Sequence, residues 1–230
     1  MRWSAAEAAE IVEAARKAPV YSAGKPWVLE LHNRSVHLYE VAHRSLHDPL
    51  GMDRLLTCGA ALEHIVLAVR AIGWHAEVVF PADHTNPDLI AVVRADRRQP
   101  PDEKELNQHL AASLAEGTGD GEARDLVSAN HWAGTELHPV DDDTLVVVTV
   151  GDGRPDHVRG GAALQAAVLA ARFGGLRVRP VIHLMHRQEW RAGLIERHEL
   201  AGYPQALLVV GAKDPDGAGP TAASAGAVRS

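Results

Sequence analysis

The residues with the widest chemical capacity are the histidines, 14 of them in a chain of 230. His183 and His186 stand three apart with His198 beyond them, and His43 and His47 share an i,i+4 spacing. Zinc requires three or four convergent ligands, each with supporting partners. No His-Glu-x-x-His run or comparable spacing occurs. Surface or hydrogen-bonded histidines are therefore expected, and no metal site is assigned. The single Cys58 excludes an internal disulfide and any multi-thiolate metal site. It lies inside an apolar, helix-forming run, which predicts an inert packed thiol.

A formal charge of −7 argues against a nucleic-acid partner, which needs a dense basic face. A small anionic ligand is compatible with it, because a few local Arg or Lys residues suffice. An apolar fraction of 46% with 23% charged residues is ordinary for a globular protein. The opening Met-Arg-Trp-Ser runs into Ala/Glu-rich sequence with no apolar signal core. No apolar run approaches the roughly 20 residues needed to cross a bilayer. Scarce cysteine fits a reducing compartment. A cytoplasmic protein with no membrane partner is expected.

These groups must be positioned by a mixed set of elements. Residues 4–17 predict a helix, with Ser4 and Glu7 spaced as a capping box and Pro19 as its stop. WVLEL (27–31) and SVHLYE (35–40) alternate around a short connector and predict a hairpin. Asp48-Pro49-Leu50-Gly51 marks a turn. Residues 53–72 are apolar around most of the helix circumference, the signature of a buried helix ended by Gly73. Strands are predicted at 76–80 and 88–94 and a charged helix at 102–115. Residues 116–143, rich in Gly, Asp, Glu and Asn, read as an irregular connection. A strand at 145–150, a helix at 157–173, a strand at 176–184, a helix at 187–197 and a strand at 206–211 follow. Residues 212–230 lack any apolar period and predict a flexible tail.

The two buried helices repeat one another. Gly59-Ala60-Ala61-Leu62-Glu63 matches Gly161-Ala162-Ala163-Leu164-Gln165 at an offset of 102 residues, and the match runs on to Gly73 and Gly175. Any two Ala/Leu/Val-rich helices share some likeness. The ordered identities ending at a shared glycine favour a duplicated element, by which one chain imitates a symmetric dimer interface. Residues 1–211 thus read as one domain with pseudo-duplicated halves, about 1–100 and 140–211.

Three stretches, in order, resemble the nitroreductase-like flavoproteins, particularly the Acg-type branch of actinobacteria. They are Ala18-Pro19 through Pro26-Trp27; Asp48-Pro49-x-Gly51 with Cys58-Gly59-Ala60-Ala61-Leu62 and Gly73-Trp74; and Gly161 through Gly175-Leu176, closing with Gly202-Tyr203-Pro204-Gln205. The resemblance implies an α+β, nitroreductase-like sandwich, with a mixed, mainly antiparallel sheet around two buried central helices. It also implies FMN held between two halves, of a homodimer or of one duplicated chain. The activity implied is NAD(P)H oxidation through FMN onto a small-molecule acceptor such as a nitro compound or quinone.

The departures fall in the flavin loop, where Val20, Ala23 and Lys25 replace the family's Ser, Asn and Gln, and in the last strand, where Val209 replaces an Arg. They point to an alternative, a non-enzymatic protein of the same fold that binds or stores flavin or another planar ligand. A flavin carries its own hydride chemistry, so no catalytic side chain is assigned. Flavin needs positive charge or helix N-terminal amides at its phosphate and a donor at its N1/O2 edge. Lys25 is the candidate for that donor or for a phosphate contact, equally open to being a solvated surface lysine. Arg16 and Lys17 are candidates for the phosphate, against a role as C-terminal helix charges. Ser22 and Gly24 offer a hydroxyl and a backbone donor, against a plain turn. Trp27 is a candidate pocket wall, against a core strand residue.

Overall fold

The computed structural model describes residues 2–22, 24–42, 48, 50–82 and 85–211. The first helix, α1 (Ala5–Arg16), starts at the expected capping box. The Glu7 amide donates to the Ser4 hydroxyl (3.2 Å) and the Ser4 amide to the Glu7 carboxylate (2.8 Å). The hairpin follows as β1 (Trp27–His32) and β2 (Ser35–Glu40). His32 pairs with Ser35, and Asn33 adopts the left-handed conformation of a tight turn (φ 35°). The apolar run becomes α2 (Met52–Ala71), in which every residue from Leu55 to Val69 is buried. β3 (Glu77–Val79) and β4 (Leu89–Arg94) complete a first sheet of order β1-β2-β4-β3.

After α3 (Glu103–Ala111) and a 3-10 helix (Ala123–Ala129), the second half repeats this plan. β5 (Thr135–Pro139) and β6 (Thr144–Thr149) form a hairpin, α4 (Arg154–Phe173) follows, and β7 (Val178–Val181) and β8 (Tyr203–Val210) close a second sheet. Its order is β5-β6-β8-β7. A 3-10 helix (His183–His186) and α5 (Gln188–His198) lie between β7 and β8.

The halves agree in detail. The β2–β4 register slips between Leu38 and Tyr39, and the β6–β8 register slips between Val147 and Val148. Each central helix ends on a glycine in the left-handed region, Gly73 (φ 87°) and Gly175 (φ 72°). In each, the next amide reaches back to the last turn, Trp74 to the Val69 carbonyl and Leu176 to that of Ala171. α2 packs on β2 and β4, α4 on the strands of its own sheet, and the two helices pack on each other. Contacts couple positions offset by about 102 residues along the seam, from Gly59 with Gly161 to His64 with Gln165, so the helices run parallel. A Cβ at Gly59 would collide with the Val158 carbonyl, and one at Gly161 with that of Leu56. Only glycine allows this approach.

Several expectations change. Instead of one mixed sheet there are two separate four-stranded sheets, antiparallel throughout. The expected irregular stretch 116–143 contains the first 3-10 helix and β5, a strand whose Pro139 and polar residues mask its alternation. The strand expected at 176–184 is short, because its end winds into the second 3-10 helix. The charged helix expected over 102–115 stops at Ala111. β8 begins earlier than 206, because the β6–β8 slip accommodates Pro204, which has no N–H for the ladder. Ala23, His43, His47, Pro49 and the expected tail 212–230 lie outside the described residues. Among the described residues, no helix is long and apolar enough to cross a membrane.

Candidate functional site at the helix seam

α2 and α4 carry one matched pair of polar side chains into the apolar seam, Glu63 and Gln165, at 0% and 1% exposure. Buried polar groups of this kind require partners. Glu63 Oε2 accepts from Trp132 Nε1 (2.7 Å) and lies 3.3 Å from His131 Nε2. Gln165 Oε1 accepts from the Tyr21 hydroxyl (3.3 Å), and its amide nitrogen meets His64 Nε2 (2.9 Å). Tyr21 precedes β1 and Trp132 precedes β5, and each reaches the central helix of the opposite half. The hydrogen bonding thus follows the same pseudo-symmetry as the backbone.

The two partners differ chemically. Burial lowers the His64 pKa to about 4, so its ring is neutral near pH 7. One ring N–H donates to the Ala14 carbonyl, which leaves Nε2 to accept from the Gln165 amide. Burial pushes the Tyr21 phenol up, so it remains a donor. The Gln165 side is therefore a neutral, closed network. The Glu63 side is open, because Glu63 Oε1 is buried with no hydrogen-bond partner and His131 stands at the wall of a cavity.

That cavity encloses about 280 Å³ beside α2. Val66, Ala76 and Val78 give it an apolar floor, and Phe80 and Trp132 supply aromatic faces. Arg70 and Arg159 reach it from α2 and α4, with the Arg159 guanidinium 4.2 Å from the Phe80 ring centroid. Each arginine also has a carboxylate neighbour, Glu105 at 3.2 Å and Asp156 at 3.1 Å. The space lies just under the roughly 300–1000 Å³ usual for small-molecule sites. It suits a compact flat ring, and His131, backed by a buried carboxylate, offers a ring nitrogen for a hydrogen bond at its edge. A larger hollow of about 500 Å³ between α3 and α4 is lined by Asp102, Glu103 and Lys104 with few aromatic contacts beyond Phe173.

The loop residues singled out by sequence divide. Lys25 Nζ donates to the Arg16 carbonyl (2.8 Å) and lies 5.7 Å from the Trp27 ring centroid, so Arg16, Lys25 and Trp27 share one corner. Trp27 also packs beside Tyr21 on Ala18, Ala60 and Ala61. Lys17 turns away to the Ser113 hydroxyl of the segment after α3 (3.0 Å). The Arg16 side chain is exposed and 3.9 Å from Glu13. Ser22 donates to the Gly24 carbonyl, a turn contact, and Gly24 has φ 93°. Cys58 points at the Pro26 carbonyl (3.5 Å), and burial raises its pKa.

FMN fits this structure only in part. The cavity offers Phe80 and Trp132 to its ring, whereas both cavity arginines, the cations nearest for its phosphate, already have carboxylate neighbours. The N-termini of the two central helices are already served by carboxylates: the Arg54 amide donates to Asp48 (3.1 Å) and the Gly153 amide to Asp156 (3.1 Å). Sequence reasoning missed Glu63, His131 and Trp132. The available signal was Glu63 itself, an acid within an apolar helix that aligns with another polar residue in the repeat. Compared with known proteins, the chain matches no family model and no curated protein.

Proposed function

We propose that the chain binds a flat aromatic ligand with an acidic edge in the seam cavity, holding it without turnover, and that the ring of a flavin is the leading ligand. The fold is then a nitroreductase-like sandwich in which one chain supplies both halves of the pseudo-dimer. What supports the reading is the arrangement of Phe80 and Trp132 faces, Arg70 and Arg159, and the Glu63-backed His131 around one cavity. The test is the visible absorption of the purified protein, followed by fluorescence titration with riboflavin and with FMN. Comparable binding of both is expected, because both cavity arginines already have carboxylate neighbours. A protein that ignores both ligands overturns the reading.

A second reading, an FMN-dependent NAD(P)H oxidoreductase acting on nitro compounds or quinones, is favoured by the meeting of Arg16, Lys25 and Trp27 at one corner beside α2. It requires a yellow protein that NADPH or NADH bleaches anaerobically and a nitroaromatic or quinone reoxidises. It also requires Lys25→Ala to weaken flavin retention, whereas a ligand in the seam cavity is indifferent to that change.

A further inference from the structure

At the N-terminal end of the paired helices, away from the seam cavity, three metal-ligating side chains from distant parts of the chain converge. Asp48 precedes α2, Asp53 lies in its first turn, and His186 closes the 3-10 helix of the second half. One ligand atom from each lies within 4.8 Å of the other two, and His186 Nε2 is 2.9 Å from Asp53 Oδ1. A carboxylate–histidine hydrogen bond accounts for that pair alone. It leaves one oxygen of Asp48 without a partner.

The Asp48 side chain is only 6% exposed, so its desolvation must be offset. Oδ2 accepts from the Arg54 amide (3.1 Å), with the Arg54 guanidinium at 3.9 Å. Oδ1 is buried with no hydrogen-bond partner. A second carboxylate within 4.8 Å adds like-charge repulsion to that cost. A cation between them would offset this repulsion, and Asp48 has an oxygen free of hydrogen bonds to offer it.

We propose that Asp48, Asp53 and His186 form a divalent-cation site that clasps the two halves of the chain. Two carboxylates and an imidazole are a borderline ligand set, suited to Zn²⁺ or Co²⁺ over the oxygen-only preference of Mg²⁺. At bond lengths of about 2.0–2.1 Å, tetrahedral ligand atoms stand roughly 3.3 Å apart, so closure requires only side-chain adjustment from the present spacing. Three protein ligands leave a fourth position open to water or another small donor.

The test uses the full chain, stripped with chelator and titrated with Zn²⁺ by calorimetry and with Co²⁺ by visible absorption. One equivalent is expected to bind with a rise in Tm, and Asp53→Asn and His186→Ala, checked for folding by circular dichroism, are each expected to weaken binding at least about tenfold. Asp53→Asn keeps the shape of the side chain, so it guards against loss by misfolding. His198→Ala, outside the cluster, should bind as the parent does. Absence of saturable binding overturns the proposal, as does binding that survives both cluster changes or disappears with His198→Ala.

Discussion

Replacing Gly161 by alanine measures how closely the central helices approach. The added Cβ would meet the Leu56 carbonyl, with the Leu56 backbone behind it, so no flexible side chain can give way. Overpacking of this kind costs about 1–3 kcal/mol, while alanine regains up to about 1 kcal/mol of helix propensity. The net loss is then up to about 2 kcal/mol, or a urea midpoint lower by up to roughly 1 M for an m-value near 2 kcal/mol/M. Gly193 in α5 is the control, because a Cβ there meets nothing within 4 Å. Gly193→Ala should stabilise by up to about 1 kcal/mol. Urea unfolding followed by tryptophan fluorescence compares the three proteins. If Gly161→Ala stabilises as Gly193→Ala does, the helices are not in backbone contact and the close-packed seam is wrong.

Other outcomes follow from the buried polar groups. Glu63→Gln copies the residue at the matched position of α4 and keeps an oxygen for the Trp132 N–H, so its stability should stay within about 1 kcal/mol of the parent's. Glu63→Ala strands the Trp132 N–H and should lose about 1–3 kcal/mol in the same urea assay; equal behaviour of the two variants would refute the contact. The Glu7 pKa is held at about 2, below its ordinary 4.5, first by the Ser4 amide and then, against burial, by Trp74 and Arg34. Its stabilisation is therefore complete above pH 4.5 and lost as pH falls toward 2, so the stability gap between parent and Glu7→Gln should close over that window in acid unfolding. A gap unchanged by pH refutes this. Cys58, with its pKa raised by burial, should resist a thiol reagent until urea unfolds the chain; rapid labelling of the native protein would contradict its packing.

What the sequence made legible was what depends on local pattern. The all-round apolar run around residues 55–69 dictates burial, the Ser4/Glu7 spacing dictates a cap, and alternation over 27–40 dictates a hairpin. The repeat was readable because close helix contact demands glycine at matched positions. β5 was hidden because density of Gly, Asp and Asn outweighs a short polar strand. The seam site was hidden for another reason. Glu63 is joined to His131 and Trp132, and Asp53 to His186, by folding alone across 68 residues or more, and no local spacing encodes those meetings. For Lys25 the sequence offered only a loop position; the bond from its ammonium to the Arg16 carbonyl at the end of α1 comes from folding.

The seam cavity is tested most directly by titrating riboflavin into the parent protein and into Ala133→Trp, which fills the cavity from an exposed wall position without disturbing the core. The parent should quench riboflavin fluorescence saturably, with FMN binding no more tightly, and the variant should bind neither. Undiminished binding by Ala133→Trp, or a marked preference for FMN in the parent, would place the ligand elsewhere and contradict the assignment.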